Sequence, residues 1–178
     1  MEIISKRLRL EVITHDDIED IHILHSFPEV DKFNTNGIPK DIEETRKSVE
    51  PFILEQTKFP RKNYTFKVIH QADKEFIGLA GITLSLDKFR LGEIFFKLSP
   101  IHWNNGYATE IAEALIKIGF EELNLHRIEA GTNADNFQSI RVLEKIGMHR
   151  EGLRRKIVPM HGEWKDGYLY GIVEDDPR

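Results

Sequence analysis

The stretch that decides the fold is Ser99-Pro100-Ile101-His102-Trp103-Asn104-Asn105-Gly106-Tyr107-Ala108-Thr109-Glu110. A strand-like run, Leu91 to Leu98, precedes it. A helix over 107–123 follows, with Ile111, Ala114, Leu115, Ile118 and Phe120 as its apolar stripe. Gly106 lets the backbone turn freely and lets a ligand approach without a Cβ in the way. The helix start exposes unpaired N–H groups and the positive end of its dipole, which together suit a phosphate or pyrophosphate. Taken alone, the same pattern is an ordinary glycine turn before a helix, and most such turns bind nothing.

Working outward, Arg127 to Thr132 reads as a short strand and Asp135 to Ile146 as a helix stopped by Gly147. That helix opens on Asn133, Asn136, Gln138 and Ser139, polar groups that no core explains. Asn136 or Asp135 suits an N-cap. Asn136 and Ser139 would also share one face at the helix start and could bond an amide-rich ligand. Two strands close the chain near 148–157 and 165–173.

Upstream, Leu8 to Val12 alternates as a half-buried strand. Thr14, with Asp17 three residues on, starts a helix through Ile18, Ile21 and Leu24 that ends near Phe27-Pro28. Residues 30–40 read as loop. Asp41 caps a second helix through Ile42, Val49 and Ile53, with Pro51 as a kink or early break. Tyr64 to Ile69 and Phe76 to Leu84 are strands, and the glycines of the second imply close backbone approach. Ile94-Phe95-Phe96 breaks alternation, so that strand is expected to be buried on both faces or bulged. The order predicts an α+β (mixed α/β) fold with a mostly antiparallel central sheet of about seven strands and about four helices. No linker, repeat or composition shift divides it, so a single domain is expected over 1–178.

The 178 residues are 40% apolar and 31% charged, as in ordinary globular chains. There is no cysteine, which excludes disulfides, thiolate metal sites and a cysteine nucleophile together. Net charge is −5 with acids and bases interleaved, which argues against nucleic-acid binding. No signal-like or membrane-spanning run is present, so a cytoplasmic protein without a membrane partner is expected. The basic run Arg150 to Lys156 reads as a charged strand edge, with contact to phosphate or to an acidic substrate as the weaker reading. His22 and His25 stand at helical spacing, but no third ligand joins them. They read as surface histidines, and no metal is expected. Trp164 and Tyr168 alternate along the last strand and are expected to pack on the sheet or to line a substrate groove.

These blocks resemble the GNAT superfamily of acetyltransferases, and more narrowly its ribosomal-protein N-terminal acetyltransferase branch. The resemblance rests on Ser99 to Glu110 and on Asn133 to Met148, with further matches at Ser5 to Leu10 and Glu163 to Asp166. It implies acetyl-CoA as cosubstrate, held by backbone groups of Trp103, Asn104, Asn105, Gly106, Tyr107, Ala108 and Thr109. Trp103 stands where the superfamily usually has glutamine or arginine. The pantetheine arm would lie along Phe96, Lys97 and Leu98 on a splayed strand, with Asn136 bonding it and Asn133 near the thioester. The superfamily's tyrosine acid is replaced by Leu143, and the resemblance offers Ser139 as proton donor instead. Glu93, on the strand entering the cleft, is the candidate base, or else a solvent-facing strand glutamate.

The implied activity is N-acetylation of a primary amine, a protein N-terminus or a small amine, by direct attack in a ternary complex. The chain would act as monomer or homodimer. A non-catalytic acyl-CoA sensor or interaction module is the alternative. A P-loop nucleotide binder fits less well, since the Gly-Lys-Ser/Thr ending is missing.

Overall fold

The chain lays down β1 (Glu2–Ile4) and β2 (Leu8–Val12), then three helices, α1 (Ile18–Ser26), α2 (Pro28–Asp31) and α3 (Ile42–Glu55). Three strands follow: β3 (Asn63–His70), β4 (Phe76–Leu84) and β5 (Leu91–Leu98). The second half is α4 (Tyr107–Glu121), β6 (Arg127–Asn133), α5 (Phe137–Lys145), β7 (His149–Met160) and β8 (Glu163–Val173). This computed structural model describes residues 1–177. Among the described residues the fold is the expected α/β mixture, with eight strands and five helices rather than about seven and four. The additions are β1 and α2, three and four residues long, too short to carry a hydrophobic period.

Local chemistry explains the helix starts. The Thr14 N–H and hydroxyl donate to the Asp17 carboxylate at 2.7 and 3.0 Å, which fixes the 3-10 turn leading into α1. The Asp41 carboxylate accepts the Glu44 N–H at 2.8 Å to open α3. Pro51 does not break α3, which continues to Glu55.

The sheet order is β1-β2-β3-β4-β5-β6-β8-β7. Every pair is antiparallel except β5 with β6, which pair in parallel at Leu91–Arg127, Gly92–Ile128 and Glu93–Glu129. Pairing stops there, and the two strands diverge. That divergence is the splay on which the site is built. The expected bulge in β5 is absent: β5 pairs with β4 without a shift from Gly78–Leu98 to Leu84–Gly92. Nor is it buried on both faces, since Ile94 is buried and Phe95 exposed. Phe95 sits directly across from Gly81, where a Cβ would meet its ring at 2.5 Å, so the missing side chain houses an aromatic on the open face.

One core joins the sheet to α4 and α5 around Phe66, Ile82, Leu115 and Ile128. A second lies under α1 to α3, around Ile21, Leu24, Val49 and Leu79. β7 is the outer strand, exposed from His149 to Ile157, in keeping with the charge-protected edge read from its basic run.

Candidate active site

The loop after β5 climbs through a 3-10 turn (Pro100–His102) into α4. The Trp103 indole N–H donates to the Leu98 carbonyl at 2.9 Å and ties the loop to the end of β5. Asn104 (φ 63°) and Gly106 (φ 77°) are left-handed, and Gly106 is the N-cap of α4 without a side chain to cap it. The first helical amide nitrogens therefore keep free hydrogens, and Tyr107, Ala108 and Thr109 line an open cleft at this end. The cleft measures about 380 Å³, within the range of small-molecule sites. Phe96, Lys97 and Leu98 form one wall and the start of α5 the other. Arg141 and Lys145, one helical turn apart on α5, add two cations.

A second cavity of about 350 Å³ opens on the other side of the splay, lined by Glu93, Phe95, Asn133, Arg154 and Tyr168 among others. The two meet at Phe33, Phe96, Asn136 and Ser139, which line both. A ligand in one can thus reach a ligand in the other beside Asn136 and Ser139.

A family model described as an acetyltransferase (GNAT) domain matches residues 7–149. The chain belongs to the GNAT acetyltransferase family. Among curated relatives, the Bacillus subtilis (strain 168) uncharacterized N-acetyltransferase YoaA is 32% identical over 171 residues, 96% of this chain and 95% of that protein. A solved GNAT-family acetyltransferase from Bacillus anthracis is 35% identical with TM-score 0.85, covering 99% of this chain and 100% of that one. Mycobacterium smegmatis RimJ, solved with CoA-disulfide, shares the fold at 21% identity and TM-score 0.85, over 98% of this chain and 88% of its own.

Within this GNAT chain, most residues read as cofactor contacts from the sequence converge on the first cleft: Phe96, Lys97, Leu98, Trp103, Asn104, Gly106, Tyr107, Ala108, Thr109 and Asn136. Asn105 does not line it. Its side-chain amide turns back to the His102 and Trp103 carbonyls at 3.2 and 3.1 Å, while its own carbonyl accepts from Arg7 at 2.9 Å. Asn133 is buried at the second cavity, where its oxygen accepts the Asp135 N–H at 2.8 Å. Asn136 caps α5 by accepting the Ser139 N–H at 3.2 Å. The N-cap reading therefore holds, and the side-chain nitrogen of Asn136 has no partner among the described residues. Glu93 is exposed on β5, and Leu143 is buried in the core where it touches the wall of the second cavity, with no group that could carry a proton.

Sequence reasoning missed Arg7, Arg141 and Lys145. Arg7 braces the loop from behind: its guanidinium bonds Glu110 at 2.8 Å and lies 4.6 Å from the Tyr107 ring centroid. Its only signal was the match of the Ser5–Leu10 block. Arg141 and Lys145 carried a signal in their spacing of four on a helix whose start was already singled out.

Two half-buried histidines correct another expectation, that His22 and His25 lie on the surface. His22 Nδ1 is 2.8 Å from the Thr45 hydroxyl. His25 Nε2 is 3.4 Å from the Lys97 amine, which is also 3.4 Å from the Asn34 side-chain oxygen. Burial pushes Lys97 down to about 8, against the pull of the Asp31 carboxylate. Burial first, then the Lys97 charge, pushes His25 down to about 4. Trp164 does not pack on the sheet and is exposed, whereas Tyr168 lines the second cavity.

Proposed function

We propose that this GNAT chain uses acetyl-CoA to acetylate a primary amine by direct attack in a ternary complex. The observation that carries the reading is the uncapped start of α4 facing a cleft that meets a second cavity at Asn136 and Ser139. The residues fit the cosubstrate. A left-handed glycine and free N–H groups suit a pyrophosphate, and Arg141 and Lys145, neither ion-paired among the described residues, suit further phosphate charge. A solved fold neighbour with CoA-disulfide supports the same choice.

Bound acetyl-CoA supplies an acetyl thioester. The amine nitrogen must first lose a proton, from an ammonium whose ordinary pKa is about 8 for an α-amine and about 10.4 for a lysine-like one. Glu93 lines the second cavity without an internal partner among the described residues, and takes that proton directly or through water. The N–C bond forms and the C–S bond breaks; the acylated nitrogen gives its remaining extra proton to the Ser139 oxygen as the Ser139 hydroxyl gives its own to the departing thiolate, so that the serine ends neutral. Asn136 holds the start of α5 so that Ser139 faces the junction.

The test is release of free CoA over a panel of amines. Ser139→Ala is expected to lower kcat by about 100-fold, the low end of general acid–base contributions, with acetyl-CoA affinity kept. Glu93→Gln is expected to cost most at low pH and little once the amine is deprotonated by the solvent. Unchanged turnover in both variants would remove these assignments. Acetyl-CoA binding without turnover of any amine would overturn the reading.

A further inference from the structure

The second cavity has a charge arrangement that the transfer reaction does not require. Charged groups on this part of the sheet mostly pair off. Arg127 bonds Glu129 and Glu151, Lys165 bonds Glu163, and Arg150 stacks over Tyr168 with its guanidinium carbon 4.8 Å from the ring centroid. The charged residues that line this cavity, Glu93 and Arg154, have no internal hydrogen bond or ion pair among the described residues. Between them the lining mixes aromatic and apolar side chains, such as Phe33, Phe95, Ile157 and Tyr168, with polar ones, Thr35, Thr132, Asn133, Asn136 and Ser139.

The strand geometry separates the two charges. Glu93 is on β5, beside Glu129 of β6. Arg154 is on β7, paired with Gly167 of β8, which pairs with Asn133 of β6. They therefore lie three strands apart and four residues apart along β6, on opposite walls. A β-bulge aims Arg154. Pairing shifts between Arg154 and Val158, Lys156 is left-handed, and its N–H donates to the Asp166 carboxylate at 2.8 Å. Of the four bases in the Arg150–Lys156 run, only Arg154 lines the cavity.

We infer that the acceptor is an amine carrying a carboxylate, with its amine toward Glu93 and Ser139 and its carboxylate bound by Arg154. This rests on the acetyl-transfer reading above and narrows its substrate class. Arginine suits a carboxylate because its planar fork donates two parallel hydrogen bonds. A polyamine fits poorly: it would bring a second cation to a cavity that offers one carboxylate and one guanidinium. Three strand spacings of about 4.8 Å and four residues of about 3.3 Å separate the two groups, which is too far for an α-amino acid, whose amine and carboxylate share one carbon, and suits a short peptide with a free C-terminus.

The experiment measures CoA release with phenylalanine, leucyl-phenylalanine, the C-terminal amide of each, and spermidine. Carboxylates are expected to exceed their amides at least tenfold in kcat/KM, mainly through KM. Leucyl-phenylalanine is expected to be turned over faster than phenylalanine, and the reverse order would overturn this inference. Arg154→Gln, an exposed strand position, should remove the preference by slowing the carboxylates tenfold while leaving the amides unchanged, and Arg154→Lys should restore part of it. Equal rates for acid and amide, preference for spermidine, or equal slowing of all substrates by Arg154→Gln would overturn this inference and leave acetyl transfer standing. Binding of acetyl-CoA with no amine turned over would overturn both.

Discussion

Gly106 shows how one residue can shape a binding loop without crowding it. A Cβ built there meets nothing nearer than the Arg7 guanidinium at 3.5 Å, an ordinary contact. Space is therefore not what requires glycine. The requirement is its φ of 77°, where an L-residue costs about 1–2 kcal/mol and a β-branched one more. Gly106→Val is expected to relieve that strain by shifting the start of α4, which re-aims the N–H groups of Tyr107 to Thr109. Acetyl-CoA affinity by calorimetry should fall at least tenfold, with a stability loss of only about 1–2 kcal/mol by urea unfolding. Gly106→Asn, which tolerates the left-handed region, should keep most of the affinity. Equal loss in both variants would show that bulk rather than backbone strain matters. At this scale the sequence was partly readable. Gly106 and the Asn136–Ser139 pair stood out by type and spacing. The Arg150–Lys156 run offered contact with an acidic substrate only as its weaker reading, and the bulge that brings Arg154 rather than its basic neighbours to the cavity is encoded by no local pattern.

At the scale of elements, α4 is anchored from outside the cleft. Glu110, in its first turn, accepts from the Arg7 N–H at 2.6 Å, the Ser5 hydroxyl at 2.7 Å and the Arg7 guanidinium at 2.8 Å. It is absent from the cleft lining, so the last residue of the quoted stretch secures the β1–β2 turn to α4 rather than binding a ligand. Burial alone would raise the Glu110 pKa, but the bonds from Arg7 and Ser5 outweigh it and hold the carboxyl below its ordinary value. A depressed folded pKa adds stability above the unfolded carboxylate pKa and loses it as pH falls through the folded one. Glu110→Ala should cost about 1.5–3 kcal/mol at pH 7, as for hydrogen bonds to a charge, and raise KM for acetyl-CoA with little change in kcat. The stability difference from the parent should shrink at acid pH. A change in kcat alone would contradict a positioning role. The element pattern itself was largely legible: β4 and β5 fall on the boundaries that alternation and glycine breaks set. The misreading of Phe95 came from judging one strand without its neighbour, since Gly81 across the ladder makes an exposed aromatic acceptable.

Across the whole molecule, one half-buried pair of titratable groups ties the core under α1 to α3 to the cleft: His25, on α1, lies against Lys97 of the cleft wall. His25 titrates near 4 when folded and near 6.5 when not. Between those values the unfolded chain takes a proton that the folded chain refuses, so stability is full above pH 6.5 and falls toward pH 4. The loss over that window is on the order of 3 kcal/mol at 1.36 kcal/mol per pH unit. His25→Gln should flatten this arm of a urea-unfolding profile taken from about pH 7.5 to 5.5, where ordinary carboxylates are still ionised. Lys97→Met should act in the same direction by another route. It removes the nearby positive charge, lets His25 accept its proton at higher pH, and so narrows the window. The same change deletes a buried ammonium whose burial is relieved in the parent only above about pH 8. Lys97→Met should therefore be more stable than the parent at pH 7, with the advantage fading as pH rises past 8 and the parent sheds that charge on folding. A profile for His25→Gln as steep as the parent's would place the acid sensitivity elsewhere, and a Lys97→Met variant less stable at pH 7 would mean that the pull of the Asp31 carboxylate, with the contacts to His25 and Asn34, outweighs the cost of burying the ammonium.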